Sequence, residues 1–314
     1  MPIRVKIANS PTELNDLFET RYRVFVEEEK YLNTGTDGRI FDRFDSFPTT
    51  ANIVAMVDKM VVGGLRLTEW SRGGTSADDL FDFRPYLPDD TDRIVTASML
   101  CIEREFRKFH RLCFMMFSMG VYWGISKKMD YVVAAINPLV ETLLNHIGLE
   151  RIDSPFHDQK HGVDVVPMRM EIAKADPIFL KMAEFQGFQG SLRTFDRELY
   201  RAGEKIIERD TLNDVAYVIV DGEVTISRPG RRPGDQDVYV LAELGQHEIF
   251  GEIALLTDKP RNADAIAKTD VDLMVIEREV FWEQMKINSD LQLKLVKLFG
   301  NRLAELYERS PQDS

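Results

Sequence analysis

The chain has 314 residues, of which 44% are hydrophobic and 29% are charged, and its formal net charge at pH 7 is -12. This composition is typical of a globular protein and excludes the collagen-like, disordered and disulfide-scaffold classes. No apolar run reaches the roughly 18 residues of a membrane helix, and no signal peptide precedes the first segment, so we expect a cytoplasmic protein. Acidic residues outnumber basic ones by 52 to 40, so a nucleic-acid-binding surface is not expected.

The first half of the chain alternates between helix-like and strand-like patterns. In chain order, the predicted elements are a helix over 11–28, a hairpin over 53–67, a strand over 93–102, a helix over 112–129, a strand over 131–136, a helix over 138–147 and a strand over 165–172. Ser10 stands where it can cap the first helix, and Gly148 stands where a helix commonly ends. This pattern predicts one α+β unit.

The pattern changes near residue 175, where a charged segment poor in apolar residues is followed by a predicted connecting helix over 177–188. Beyond it, short apolar runs between Gly, Asp and Asn turns predict strands over 205–207, 215–220, 224–227, 238–241 and 271–276. A long helix is predicted over 279–309. We therefore predict two domains, 1–174 and 175–314, of which the second is a small barrel or jelly roll, each with its own core.

The second half contains a candidate anion site, with FGEIALL at 250–256 and PRNA at 260–263. A glycine before a short helical turn lets backbone N–H groups converge on an anion, and Arg261 can bind a phosphate through two hydrogen bonds. Glu252 can accept hydrogen bonds from a ribose hydroxyl. On these two charges alone, a surface loop in which Glu252 and Arg261 pair is the simpler interpretation.

In their order, these residues resemble the phosphate-binding cassette of cyclic nucleotide-binding domains, G-E-x-A-L followed by P-R-x-A. YVIVDGEV at 217–224 is similar to that family's Y-V-I-x-x-G-x-V strand and turn, so the resemblance covers about residues 180–305. It implies that Glu252 holds the ribose 2′-hydroxyl and Arg261 the cyclic phosphate. The other nucleotide contacts that it implies are Gly251, Ile253, Ala254, Asn262 and Ala263.

Ala263 stands where guanine-selective members of that family carry a hydroxyl, so the resemblance favours cAMP over cGMP as the effector. Two positions depart from the family pattern: Arg209 replaces a usual glycine, and Asp264 replaces a small neutral residue. Such domains are common in bacterial transcription factors. Too few residues follow the long helix before Ser314 to form a helix-turn-helix, so we do not expect DNA binding.

The first half contains a second constellation of charged and aromatic residues: Arg21, Phe25, Tyr31, Asp42, Asp45 and Arg66. Arg66 lies in GGLRL at 63–67, where paired glycines permit a close approach to the strand. Acidic side chains near an amine substrate can bind its ammonium group or accept its proton. Without regard to their order, the four charged residues would be interpreted as a surface ion-pair network.

The order and spacing of these residues resemble the acyl-homoserine-lactone (autoinducer) synthases and the related long-chain N-acyl amino acid synthases, which are variants of the GNAT acetyltransferase fold. The resemblance covers about residues 5–172. Tyr31 stands where the autoinducer synthases prefer tryptophan. Their E-x-S-R element is replaced here by TASM at 96–99, which removes both charges. The resemblance therefore favours the N-acyl amino acid synthase branch, or another amine acceptor.

By this resemblance, the strand over 98–102 receives the pantetheine arm of an acyl thioester and polarises its carbonyl, with contacts from Ser98, Met99, Leu100 and Ile102. A basic cluster follows, formed by Arg104, Arg107 and Arg111. It suits a phosphate or an acidic acyl carrier protein, and a solvated basic turn is the equal alternative. Residues 107–112 contain no glycine, so the pyrophosphate loop R-x-x-G-x-G/A is missing, which favours an acyl carrier protein over coenzyme A.

Other chemical groups give weaker indications. Glu103 is a candidate general base acting through water, although a salt-bridged surface acid is the more common case. His157 and His161 have the spacing of zinc ligands, but no third ligand matches it, so no metal is expected. The two cysteines, Cys101 and Cys113, form neither a disulfide framework nor a metal spacing.

Together these features predict an α+β fold: a GNAT-like mixed sheet with flanking helices, followed by a β-roll (jelly-roll) cyclic nucleotide-binding domain with C-terminal helices. The predicted function is a cAMP-regulated N-acyltransferase that moves an acyl group from acyl carrier protein or coenzyme A to a small-molecule amine such as an amino acid. Homo-oligomers could form through the C-terminal helix. Two alternatives stay open: a non-catalytic cAMP sensor with a degenerate acyl-binding domain, and a cAMP-regulated protein lysine acetyltransferase.

Overall fold

The structure is a computed structural model that describes residues 2–32, 37–71, 74–75, 77–175, 196–229, 238–257 and 259–287, with scattered positions between 289 and 300. The helix predicted over 177–188 and residues 301–309 of the helix predicted over 279–309 lie outside the described residues. Within the described part, no helix combines the length and apolar character needed to cross a membrane.

The first half carries three α-helices and eight strands among its described residues. The helices are α1 (Pro11–Tyr22), α2 (His110–Ser126) and α3 (Glu141–Ile147). The strands are β1 (Ile3–Ile7), β2 (Thr50–Val57), β3 (Met60–Glu69), β4 (Ile94–Ile102), β5 (Tyr131–Ile136), β6 (Glu150–Arg151), β7 (Phe156–Asp158) and β8 (Val163–Glu171). The Ser10 side chain caps α1 as predicted, and α1 continues directly into a π-helical turn, Arg23–Glu28.

The described part of the second half is mostly β-structure. Its strands are β9 (Asp196–Tyr200), β10 (Lys205–Ile207), β11 (Val215–Asp221), β12 (Val224–Pro229), β13 (Val238–Leu244), β14 (Ile249–Phe250), β15 (Asp264–Ala267) and β16 (Val271–Glu277). Its helices are α4 (Glu252–Thr257) and α5 (Arg278–Ile287). The sequence did not predict β9, β14 and β15, because these short segments contain charged residues or too few apolar ones for a strand pattern.

The larger sheet runs through both halves, in the strand order β14-β11-β16-β9-β1-β2-β3-β4-β5-β8-β6, with β7 paired to β8. The pairing of β4 with β5 is parallel, and the other ladders are antiparallel. A second sheet has the order β10-β15-β12-β13. The predicted fold class, a mixed α+β sheet followed by a β-roll, is confirmed.

The strand β9 joins the two halves because it pairs with β1 on one side and with β16 on the other. One large buried apolar cluster also contains residues of both halves. It includes Val5 and Met115 of the first half and Val218 and Met274 of the second half. One apolar cluster is therefore shared by the two halves, and a second cluster, which contains Tyr217, Phe250 and Leu273, lies within the second half. The division at residues 174 and 175 stays a prediction, since residues 176–195 lie outside the described part.

Helix α1 packs directly on β3 at the paired glycines. A side chain at Gly64 would overlap Leu17 of α1, and one at Gly63 would lie 2.8 Å from the Cys101 carbonyl oxygen of β4. The close approach that the glycines predicted is thus made by α1 and by the neighbouring strand. This packing fixes Arg21, near the end of α1, against the middle of the sheet.

Candidate functional sites

The four charged residues predicted in the first half form one buried network. Arg66 Nη1 donates to Asp42 Oδ1 at 2.7 Å and to Asp45 Oδ2 at 2.9 Å, while its Nη2 donates to Asp42 Oδ2 at 3.0 Å. Arg21 Nη1 donates to Asp45 Oδ1 at 2.9 Å. Both guanidinium groups are fully buried. The ion pairs proposed as an alternative exist, but they lie in the interior of the fold.

Two further residues complete the network: Asn52, which no sequence pattern marks, and Ser98, which was a predicted site residue. Asn52 Oδ1 accepts from Arg21 Nη2 at 2.7 Å, and Ser98 Oγ accepts from Arg66 Nε at 3.2 Å. Burial would raise the pKa of Asp45, but the charges of Arg21 and Arg66 outweigh it and hold that pKa below its usual value. Asp45 is therefore a structural anion, held between two cations.

Strand β4 changes course at the residues predicted to receive the thioester. Its register against β3 shifts between Gly64 and Arg66, and Met99 has a φ of 52°, which is rare for a residue with a side chain. On the other side, the ladder between β4 and β5 ends at Ala97 and Ala134, whereas β5 continues with β8 to Ile136. The two parallel strands therefore separate beside the bulge.

A cavity of about 550 Å³ lies at this separation. Six of the predicted residues line it: Phe25, Tyr31, Asp42, Ser98, Met99 and Leu100. Most of its other walls are apolar, among them Leu65, Phe117 and Val165. The pKa of the Tyr31 phenol is raised, mainly because the side chain is partly buried and also because the negative charge of Glu29 is nearby. The structure thus brings the predicted residues Phe25, Tyr31 and Asp42 together with strand residues 98–100 around one apolar space.

The other predicted residues of the first half are not among the described residues that line this cavity. Arg21, Asp45 and Arg66 lie behind Asp42. Glu103 accepts from Arg23 Nε at 2.8 Å and so forms the ion pair that was its alternative. The Ile102 carbonyl oxygen accepts from Arg107 Nε at 2.8 Å.

The basic cluster of Arg104, Arg107 and Arg111 forms hydrogen bonds and ion pairs with acidic residues from both halves of the chain. The Arg104 backbone N–H donates to the Glu28 carboxylate, and Arg107 binds the carboxylates of Glu28 and Glu29. Arg111 lies 3.0 Å from the Asp221 carboxylate at the end of β11, in the second half of the chain. The cluster is therefore built into contacts within the fold and is only partly available to a phosphate or a carrier protein.

The second site is a cavity of about 210 Å³ beside α4. It is lined by all seven residues that the cyclic nucleotide resemblance implied: Gly251, Glu252, Ile253, Ala254, Arg261, Asn262 and Ala263. Gly251 has a φ of 76°, and a side chain there would lie 2.8 Å from Arg261 Nη1. The glycine is thus required both by its backbone conformation and by the space that the guanidinium occupies.

Arg261 turns inward, and its two terminal nitrogens donate to the carbonyl oxygens of Gly251 and Val215. Its Nε is buried with no partner among the described residues. Burial, which outweighs the attraction of Tyr217 and the nearby acids, lowers the pKa of Arg261. A buried guanidinium with an unsatisfied donor fits an anionic ligand such as a phosphate, which would supply both an acceptor and a counter-charge.

Arg209 and Asp264, which depart from the pattern of cyclic nucleotide-binding domains, contact each other. The Arg209 backbone N–H donates to Asp264 Oδ1 at 3.0 Å, and Lys205 Nζ lies 3.4 Å from the same oxygen. The Asp264 carboxylate is therefore partly neutralised at the edge of the cavity that it lines.

Two further residues at the first cavity were missed as site residues. Asn137 follows β5 and lines the cavity, while its side chain caps the turn over Pro138–Val140. Its position before a proline was the available signal. His161 also lines the cavity and was considered only as a metal ligand. Among the described residues, no group of three or more His, Cys, Asp or Glu side chains could hold a metal ion.

Both regions are similar to known protein families. Residues 16–171 match the family model of the N-acyl amino acid synthase FeeM, and residues 197–288 match that of the cyclic nucleotide-binding domain. The chain is 31% identical over 132 residues to the cyclic AMP receptor protein of Thermus thermophilus, covering 42% of this chain and 59% of that protein. It is 38% identical over 96 residues to a cGMP-dependent protein kinase of Toxoplasma gondii, covering 30% of this chain and 9% of the kinase. It thus spans only part of these relatives.

Two solved structures resemble the first half. The N-acyl amino acid synthase FeeM from uncultured soil microbes has 14% identity and a TM-score of 0.44, and the match covers 54% of this chain and 95% of that one. The coenzyme A-dependent acyl-homoserine lactone synthase BjaI has 16% identity and a TM-score of 0.48, covering 60% and 92%. The chain is thus similar to the N-acyl amino acid synthase FeeM over residues 16–171 and to the cyclic nucleotide-binding domain over residues 197–288.

Proposed function

We propose that the protein is an N-acyltransferase controlled by a cyclic nucleotide. It moves an acyl group from a thioester of acyl carrier protein or coenzyme A to the amino group of a small-molecule acceptor. The observation that carries this proposal is the cavity where β4 leaves β5, because it joins an apolar space to a bulged strand and to the Asp42 carboxylate.

The bulge at residues 98–100 suits the chemistry of the thioester carbonyl. When an amine attacks this carbon, the oxygen becomes negatively charged, and backbone N–H groups aimed at it lower the barrier. The carbon–nitrogen bond forms, the carbon–sulfur bond breaks, and the thiol leaves with a proton that came from nitrogen. The strand residues Ser98, Met99 and Leu100 would hold the thioester in place for this attack.

The apolar walls favour a long acyl group over acetyl. Phe25, Leu65, Phe117, Val140 and Val165 line the cavity. Each methylene group buried against such side chains contributes about 0.8 kcal/mol. Binding therefore strengthens with chain length until the cavity is filled, which disfavours the lysine acetyltransferase alternative.

Opposite charges at one side of the cavity favour an amino acid as the acceptor. The Asp42 side chain is 34% exposed and is held in place by the buried Arg66, so it can accept from an ammonium group. The neighbouring Arg43 also lines the cavity and can bind a carboxylate. A zwitterion offers a charged group to each of these two side chains, whereas a simple amine offers one to Asp42 alone.

The second cavity would bind the effector. Arg261 would hold the cyclic phosphate and Glu252 the ribose, and Ala263 favours cAMP over cGMP by the resemblance. Leu255 of α4 and Phe281 of α5 belong to the same buried cluster as Phe117 of α2, which lines the first cavity, so a movement of α4 or α5 can be transmitted to that cavity wall. Couplings of this kind are typically about 1–3 kcal/mol, or roughly 5- to 150-fold in affinity.

An acylation assay tests this proposal. The protein is incubated with long-chain acyl carrier protein, long-chain acyl coenzyme A or acetyl coenzyme A, each with a panel of amino acids or a lysine peptide, with and without cAMP. An N-acyl amino acid detected by mass spectrometry, at a rate that depends on cAMP, supports the proposal. Acetylation of the peptide alone would favour the lysine acetyltransferase, and no product under any condition would leave the non-catalytic sensor.

A further inference from the structure

The proposed reaction needs a proton acceptor, since an amino acid acceptor arrives as an ammonium ion at neutral pH. The acids of the buried network are poor candidates. Asp42 is held by both terminal nitrogens of Arg66, and Asp45 lies between Arg21 and Arg66. Protonating either carboxylate would leave buried cations without their counter-charge. Glu103, the base considered from sequence, pairs with Arg23 and is not among the described lining residues.

The remaining acids on the cavity wall are also poorly suited. Asp79 and Asp164 line the cavity, but their side chains are 71% and 70% exposed, so they are well solvated. Asp164 is also hydrogen-bonded to His157 Nδ1 at 2.8 Å. Burial and the charge of Glu29 raise the pKa of Tyr31, so its phenol stays protonated. Among the described lining residues, His161 is then the remaining side chain with a ring nitrogen that can accept a proton.

His161 is held by the carboxylate of Asp158, three residues earlier in the β7–β8 turn. Asp158 Oδ2 accepts from the His161 backbone N–H at 3.0 Å and lies 2.5 Å from Nδ1. Burial would raise the pKa of Asp158, but the hydrogen bonds from His161 outweigh it and lower that pKa. An ionised carboxylate only accepts hydrogen bonds, so Nδ1 carries a proton, and in the neutral imidazole Nε2 then carries the lone pair. A base oriented by a third group is the arrangement found in acyl-transfer sites.

We infer that His161, oriented by Asp158, is the general base that deprotonates the amine acceptor. This inference rests on the proposed function. Nε2 takes one proton from the ammonium group and passes it to solvent, and the neutral nitrogen attacks the thioester carbon. After the carbon–nitrogen bond has formed, nitrogen loses a second proton to water, and a proton from water reaches the leaving sulfur as the carbon–sulfur bond breaks. The products are the amide and the thiol, and the imidazole returns to its neutral form.

The test compares two histidines of one hairpin on two acceptors. His161→Gln removes the base, whereas His157→Gln is a matched control, because His157 pairs with Asp164 in the same hairpin and is not among the described lining residues. The acceptors are an amino acid, which must be deprotonated, and hydroxylamine, which is largely neutral at pH 7. Rates are measured above the reaction without protein, and thermal unfolding confirms that each variant is folded.

His161→Gln is expected to slow transfer to the amino acid by about 100- to 10,000-fold and transfer to hydroxylamine by much less. His157→Gln should leave both rates within about twofold of wild type, because the His157–Asp164 pair is exposed and such pairs contribute little to stability. An unchanged amino acid rate in His161→Gln would overturn the inference, as would an equal loss with both acceptors, which indicates a structural role. Wild-type protein that acylates neither acceptor would instead overturn the proposed function, and this inference with it.

Discussion

Arg66 and Asp42 form a two-point ion pair at the edge of the acyl cavity, with 2.7 Å from Nη1 to Oδ1 and 3.0 Å from Nη2 to Oδ2. The arginine is fully buried, while the aspartate is partly exposed to the cavity. The pair therefore links the interior of the sheet to the place where the acceptor would bind. Its strength should be visible both in folding and in acyl transfer.

Replacing Arg66 with methionine tests how much its buried ion pairs contribute to the stability of the fold. The substitution leaves Asp42 and Asp45 near each other without a shared cation, so we expect the free energy of unfolding to fall by about 3–5 kcal/mol. Urea denaturation gives this value. Arg93→Met is the control, because Arg93 is 64% exposed in its pair with Asp130, and such a pair contributes only about 0.2–1 kcal/mol. Equal losses in the two variants would contradict the network's structural role.

The contact between α1 and β3 gives a second prediction. Gly64→Ala forces the new methyl group against Leu17, so the variant should lose about 1–3 kcal/mol of unfolding free energy. Leu17→Ala, which creates a cavity, should cost about 2–5 kcal/mol. The double variant should cost less than the sum, because the smaller side chain makes room for the methyl group. Strict additivity in denaturation experiments would show that the two residues do not meet.

The effector site gives a third prediction. Arg261→Ala removes a charge-assisted contact to the phosphate, worth about 1.5–3 kcal/mol, so the affinity for cAMP should fall roughly 10- to 150-fold. Isothermal calorimetry measures the change. Arg209→Ala is the control, since Arg209 contacts Asp264 through its backbone N–H, which the substitution keeps. Tight cAMP binding by Arg261→Ala would remove the phosphate assignment.

The fourth prediction concerns the junction between the two halves. Arg197 of β9 binds the Asp272 carboxylate of β16 and is fully buried, and it lies beside the Tyr122 hydroxyl of α2. Burial raises the pKa of Tyr122 to about 12, against the opposing effect of the Arg197 charge. Tyr122→Phe should therefore weaken the link between α2 and β9 while keeping the packing.

We expect Tyr122→Phe to reduce the effect of cAMP on the acylation rate by about 2- to 10-fold, the equivalent of one hydrogen bond of about 0.5–1.5 kcal/mol. The affinity of the substrate-free protein for cAMP should stay the same. Tyr131→Phe is the control, because Tyr131 lies in β5, which pairs with β4 and β8 in the first half. A full response to cAMP in Tyr122→Phe would show that the coupling takes another route.

The sequence brings together the residues of the second cavity because they lie close to one another along the chain. Gly251, Glu252 and Arg261 lie within one short segment, so their order alone indicates the cavity that they line. The acyl site needed long-range pairing. Asn52 reaches Arg21 only because α1 packs on the sheet, and no local pattern marks it.

The junction between the halves could not be predicted for the same reason. The sequence DRELY of β9 begins with three charged residues in a row, and nothing in it specifies that β1 and β16 are its neighbours. The buried Arg197 is paired with the carboxylate of Asp272, which lies 75 positions further along the chain. The shared sheet and core follow from this pairing between distant segments.

The most direct test of the account is the rate of N-acyl amino acid formation as cAMP is added, followed by mass spectrometry in wild-type protein and in Arg261→Ala. The account predicts that the wild-type rate changes over the range of cAMP concentrations in which calorimetry shows binding, and that Arg261→Ala responds only at about 10- to 150-fold higher concentrations. A wild-type rate that stays constant while cAMP saturates its site would contradict it.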